Sequence, residues 1–149
     1  MTFDIPRPLE VTHEELHAEL VKATKSGGRT GEAAKAVAKV LHPHFVKEEE
    51  YALPPLGLLV ALSQGKIEKG MAAAIETTDK LEAELPQMLA EHKAVVAALE
   101  ALVDAAKAEN KPDAAQLAEK LILHAQTEEQ VSYPAALLIG RYLKAKLTA

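Results

Sequence analysis

The sequence predicts an all-α protein, folded as an antiparallel up-down four-helix bundle with short additional helical segments. Three observations predict it. Ala, Leu, Glu and Lys, all strong helix formers, are abundant in the 149 residues. Apolar residues recur at spacings of three and four, and no stretch alternates convincingly at period two. Glycine and proline signals separate four long periodic stretches. The chain reads as one domain, 1–149, long enough to bury about two-thirds of its unfolded surface.

The first helix is expected over about 9–25, with Pro8 before it and "SGG" after it. A second should start near Thr30, a candidate N-cap, and run through "EAAKAVAKVLHPHFVKEEEYAL", with a kink or break where Pro43 interrupts it. Pro54-Pro55 should stop or bend the chain before a short apolar helix in "LGLLVALSQG". A third helical region spans about 67–109, divided or bent by Pro86. After a turn at "AEN-KP", Pro112 suits the first turn of a fourth helix over about 112–133. Pro134 then separates a terminal segment, "AALLIGRYLKAKL", suited to covering the bundle or to a dimer contact.

Composition narrows the function. A net charge of −5, with no basic block, argues against nucleic-acid or anionic-membrane partners, and 3% aromatic residues against base stacking. The absence of cysteine excludes disulfides, thiolate metal sites, Fe–S clusters and cysteine nucleophiles. No window approaches 18 uninterrupted apolar residues, and "MTFDIPRPLE" lacks the pattern of a signal peptide. A soluble, cytoplasmic protein is expected.

The chemistry lies in a repeated motif. "HFVKEEEYALPPL" at 44–56 places His44, Glu48, Glu49 and Pro54 at offsets that "HAQTEEQVSYPAA" repeats 80 residues later as His124, Glu128, Glu129 and Pro134. On a helix, His and the Glu four residues on lie about 40° apart, one turn along. Imidazole and carboxylate on one face form half of a metal site, and two such halves can face each other across a bundle. A single His-x-x-x-Glu is usually a solvated pair; two copies sharing a downstream proline point to a site. Glu49 and Glu129, about 100° further round, are read as solvent-facing charges.

His92 sits in an apolar stripe with Leu89, Val95, Val96 and Leu99, and so points into the same core. His13 and His17 share a face at i and i+4, flanked by Leu16 and Leu20; a pair at this spacing can hold one metal ion or form a partly exposed polar seam. His42, about 160° from His44, should point off the site. Five histidines and two glutamates then converge from four helices. Such nitrogen and oxygen donors suit iron or manganese, and also zinc. Two six-coordinate irons offer about twelve positions; five imidazoles, two bridging carboxylates and a bridging oxide or hydroxide fill all but one. The last is room for O2 or another small diatomic ligand.

These residues resemble the hemerythrin-like (HHE cation-binding) family: a His on the first helix, "HFVKEE…P" on the second, "EH" on the third and "HAQTEE…P" on the fourth. The resemblance spans about 9–140. It implies an up-down bundle holding two iron ions, oxo- or hydroxo-bridged, with His44, Glu48, His92, His124 and Glu128 as ligands and the two glutamates as bridges. Hemerythrins proper place two histidines one turn apart on the third helix. Here the flanking positions are Met88 and Val96, and the extra histidine is on the first helix, where His13 aligns with His92 and His17 is the substitute. The last motif ends in Glu at +4 rather than Asp at +5.

The expected function is a di-iron protein that binds, stores or senses O2, or buffers iron. One alternative is a di-iron enzyme that reduces peroxide or nitric oxide or oxidises iron, with His17, Tyr51 or Tyr133 as proton donor. Another is a metal-free structural bundle.

Overall fold

A computed structural model describes residues 3–147. Among them the chain is helical throughout its ordered elements, with no strand. Four long helices form the bundle: α1 (Arg7–Thr24), α2 (Gly28–Lys47), α4 (Ala73–Ala108) and α5 (Pro112–Thr127). α3 (Leu59–Ser63) is a short piece within the crossover from α2 to α4, and α6 (Tyr133–Leu147) closes the chain. Around the bundle α1 packs on α2, α2 on α4, α4 on α5, and α5 back on α1, while α6 lies along α4.

The prolines act more mildly than their positions suggest. Pro43 and Pro86 both lie inside continuous helices, so neither α2 nor α4 is divided. Each costs one backbone hydrogen bond, which burial along the rest of the helix outweighs. α1 begins at Arg7 and takes Pro8 into its first turn, where a missing N–H is tolerated. Pro54 opens a short 3₁₀ turn, Pro54–Leu58, and Pro112 is the first residue of α5. Between α4 and α5, Asn110 takes φ +55°, and the Lys111 N–H bonds the Ala106 carbonyl at 2.7 Å. That pattern closes a helix C-terminus by capping its last carbonyls.

Thr30 is not the N-cap of α2, which starts two residues earlier. The cap comes from the far end of α4. Glu109 accepts the Arg29 N–H at 3.1 Å, the Thr30 N–H at 2.7 Å and the Thr30 hydroxyl at 2.5 Å. A carboxylate here satisfies orphan amides and complements the helix dipole. Gly28, at φ +61°, has no room for a side chain, because a Cβ would strike the Glu109 carboxylate. At the other end of the bundle a Cβ on Gly140 would strike the Thr78 side chain, so glycine lets α6 lie close against α4.

The core is split. One apolar cluster includes Leu16, Leu20, Val37, Leu41, Phe45, Val95, Leu99, Leu117 and Leu121. The other includes Tyr51, Leu53, Leu81, Met88, Tyr133, Ile139 and Leu143. The buried polar residues His13, His44, Glu48, His92 and Glu128 fall between them along the sequence of each helix: His92 between Met88 and Val95, and His44 between Leu41 and Tyr51.

Candidate metal centre

Both copies of the repeated motif follow the same backbone path. α2 ends at Lys47 and passes into a π-helical turn, Glu48–Ala52; α5 ends at Thr127 and passes into another, Glu128–Ser132. In each, the residue before the proline donates its N–H five residues back, Leu53 to the Glu48 carbonyl at 2.8 Å and Tyr133 to the Glu128 carbonyl. Proline cannot donate and its ring crowds the carbonyl four residues earlier, so a widened turn ahead of it relieves the conflict. The glutamate that begins each turn is buried.

Four helices thus bring donors to one place. His44, Glu48, His92 and Glu128 form one set and His13, His124 and Glu128 another, the offered ligand atoms of each set lying within 4.8 Å of one another. Glu128 belongs to both. Its Oε1 is 3.7 Å from His92 Nε2, while its Oε2 is 3.6 Å from His13 Nε2 and 3.5 Å from His124 Nε2. Glu48 lies in the first set, with Oε1 3.7 Å from His44 Nε2. His17 is not brought to either set. It is exposed on α1, its ring centroid 6.0 Å from that of His42, which is exposed on α2 and points off the site as its rotation requires.

Most of the imidazoles are held by outer carboxylates. His44 Nδ1 donates to Glu91 Oε1 at 2.9 Å, His92 Nδ1 to Glu129 Oε1 at 2.9 Å, and His13 Nδ1 to Glu49 Oε1 at 3.4 Å. A carboxylate only accepts, so each Nδ1 carries the hydrogen and each Nε2 turns a lone pair inward, the tautomer that binds metals. Glu49 and Glu129 are therefore more than solvent-facing charges, although each keeps a side exposed. Glu91 also takes the Lys47 ammonium at 2.6 Å and the Gln87 amide at 3.1 Å. Burial would raise its pKa, but the bonds from His44, Lys47 and Gln87 outweigh burial and hold it down to about 2. Phe45 stacks on the His13 ring, centroids 4.1 Å apart at 10°, and shields it.

The electrostatics fit a cation. Burial, then the neighbouring charge of Glu128, pushes Glu48 well above the usual carboxylate range. Burial pushes Glu128 the same way, but its approach to Glu48, His124 and His13 reverses the effect and keeps it ionised. Burial also lowers His44, favouring neutral imidazole. Four buried atoms, His13 Nε2, Glu48 Oε1, His124 Nε2 and Glu128 Oε2, have no hydrogen-bond partner. Leaving a buried polar atom unpaired costs about 1–3 kcal/mol. Glu48 Oε1 belongs to the first set and the other three atoms to the second, so an ion in each set would partner them all. Neutral nitrogen and carboxylate oxygen, without sulfur, can hold iron, manganese or zinc there.

Three participants were not assigned from the sequence, Glu91, Glu49 and Glu129, and Tyr133 was named only as a proton donor. The signal for two of the acids lay in the sequence: the second Glu of each doublet is repeated along with the first. Among the described residues no helix is long and apolar enough to cross a membrane. No protein-family model, curated protein or solved structure matches the chain.

Proposed function

We propose that the chain is a hemerythrin-type protein whose centre holds two metal ions, iron by preference, and takes up a small ligand such as O2. The observation that carries this reading is Glu128, whose two oxygens face two separate sets of imidazoles. One ion would be held by His44, Glu48, His92 and Glu128, the other by His13, His124 and Glu128. When bound, such a pair supplies Lewis acidity and, if iron, electrons for a small oxidant.

The chain's own residues set the terms. Glu91, Glu49 and Glu129 fix the tautomers of His44, His13 and His92. The apolar clusters above and below exclude water, which strengthens every charge interaction in the layer between them. Burial and the charge of Glu128 raise the Glu48 pKa, and a cation bound there would lower it again, so loading should acidify an unbuffered solution. One observation favours the alternative of an enzyme acting on peroxide or nitric oxide: the Tyr133 hydroxyl lies among the donors, where it can give a proton to a bound molecule.

The test is metal content. Protein expressed with supplemented iron should carry two irons per chain, lost in His44→Ala and His124→Ala, and should change its visible spectrum on exposure to O2. Protein that takes up no metal of any kind removes the reading. Peroxide turnover that depends on Tyr133 moves it to the enzyme.

A further inference from the structure

Tyr133 stands in the middle of one half of the centre. Its hydroxyl donates to Glu48 Oε2 at 2.7 Å and lies 3.0 Å from His92 Nε2 and 3.1 Å from His44 Nε2. The side chain is fully enclosed. Both imidazoles carry their hydrogen on Nδ1, so their Nε2 lone pairs face a phenolic oxygen whose single hydrogen is already given to Glu48. The phenolic hydrogen therefore serves neither imidazole contact. The spacing suits atoms around a common ion: two ligands about 2.1 Å from a metal and at right angles stand about 3.0 Å apart.

The other half has no such group. The residue 80 places before Tyr133 is Leu53, an apolar residue packed in the cluster beneath the centre. The Nε2 atoms of His13 and His124 face Glu128 Oε2, at 3.6 and 3.5 Å. His124 is also the least covered of the four imidazoles, its side chain 15% exposed against 1–4% for the others.

We propose that Tyr133 gives its phenolic oxygen as a further ligand to the metal held by His44, His92 and Glu48, which makes the two metal positions unequal and leaves the His13–His124 position to take up the small ligand. The proposal rests on the two-metal reading above. The His44 position is then crowded by two imidazoles, two carboxylates and a phenol, while the other has two imidazoles and the shared carboxylate. A molecule arriving from solvent meets the more exposed, less filled position first.

The experiment loads the protein with ferric iron, counts the iron, and records visible absorption and resonance Raman spectra. Wild-type protein should show a phenolate-to-iron charge-transfer band with tyrosine ring modes. Azide added to wild-type protein should leave the tyrosine modes in place. Tyr133→Phe, compared per iron retained, should lose the band. Tyr51→Phe should keep it, because the Tyr51 hydroxyl is directed at Met88 Sδ, 3.5 Å away. Wild-type protein with its full iron and no tyrosine modes overturns the proposal and leaves the two-metal reading standing. So does azide that displaces the tyrosine modes from the wild-type spectrum, since the small ligand would then take the His44 position. Absence of iron from wild-type protein sinks both. If Tyr133→Phe does not fold, the wild-type Raman spectrum decides alone.

Discussion

The two copies of the repeated motif share a backbone path and differ in what surrounds them. Each runs from a helix into a π turn that opens on a buried glutamate, ahead of a proline. His44 is enclosed, held at Nδ1 by Glu91 and faced at Nε2 by Tyr133. His124 is partly open and turns its Nε2 to Glu128 at 3.5 Å. The difference comes from neighbours: α4 supplies Glu91, and the residue after the second π turn is Tyr133 where the first has Leu53. An identical local arrangement can thus be tuned into a filled position and an open one by residues outside the motif.

Substitutions can break or sharpen that contrast, and the largest effect should come from Glu128. Glu128→Ala removes the one side chain shared by both sets and should abolish binding of both ions. Glu48→Ala should chiefly empty the His44 position, and His17→Ala should leave the metal count unchanged, all read by elemental analysis. Equal losses in the two glutamate variants would erase the distinction between the halves. Next comes Glu91→Gln, which weakens the acceptor of His44 Nδ1 and removes the charge that pairs with Lys47. Metal affinity at that position should fall about 10–100-fold in a chelator competition, as for other supporting carboxylates.

Smaller effects test whether the halves are insulated from the rest of the bundle. Gly140→Ala forces α6 away from Thr78 and should destabilise the fold by about 1–3 kcal/mol in chemical denaturation. It should disturb the environment of Tyr133 on α6 more than that of His124. Glu109→Gln should matter least to the centre and act through pH. Bonds from the Thr30 hydroxyl and the amides of Thr30 and Arg29 hold Glu109 at about 2. A depressed folded-state pKa adds stability above the ordinary carboxylate range, and that stability is lost as pH falls through about 2. The melting temperatures of wild type and Glu109→Gln should therefore differ at neutral pH and converge near pH 2, with metal content the same.

Much of this was legible in the residues. The number and order of the long helices follow from periodicity and turn signals, and the repeat of His44, Glu48, Glu49 and Pro54 located the candidate site. Of the two outcomes the prolines allow, a bend or a break, the break does not occur: α2 and α4 run through Pro43 and Pro86, because packing along a long helix outweighs one lost hydrogen bond. His17 shares a face with His13, yet one turn further along α1 that face has left the centre and reached the surface. Glu91 could not be found from spacing on its own helix, because its partners His44 and Lys47 lie on another.

The sequence by itself determined a helical chain with two equivalent imidazole–carboxylate half-sites, since helical period and proline chemistry act over a few residues. Only the tertiary structure decided which glutamate stands between the two sets, which imidazoles are locked by outer acids, and which half contains a phenol. Those outcomes depend on side chains far apart in the chain meeting at distances of a few ångströms, and the lateral packing of the helices fixes that meeting.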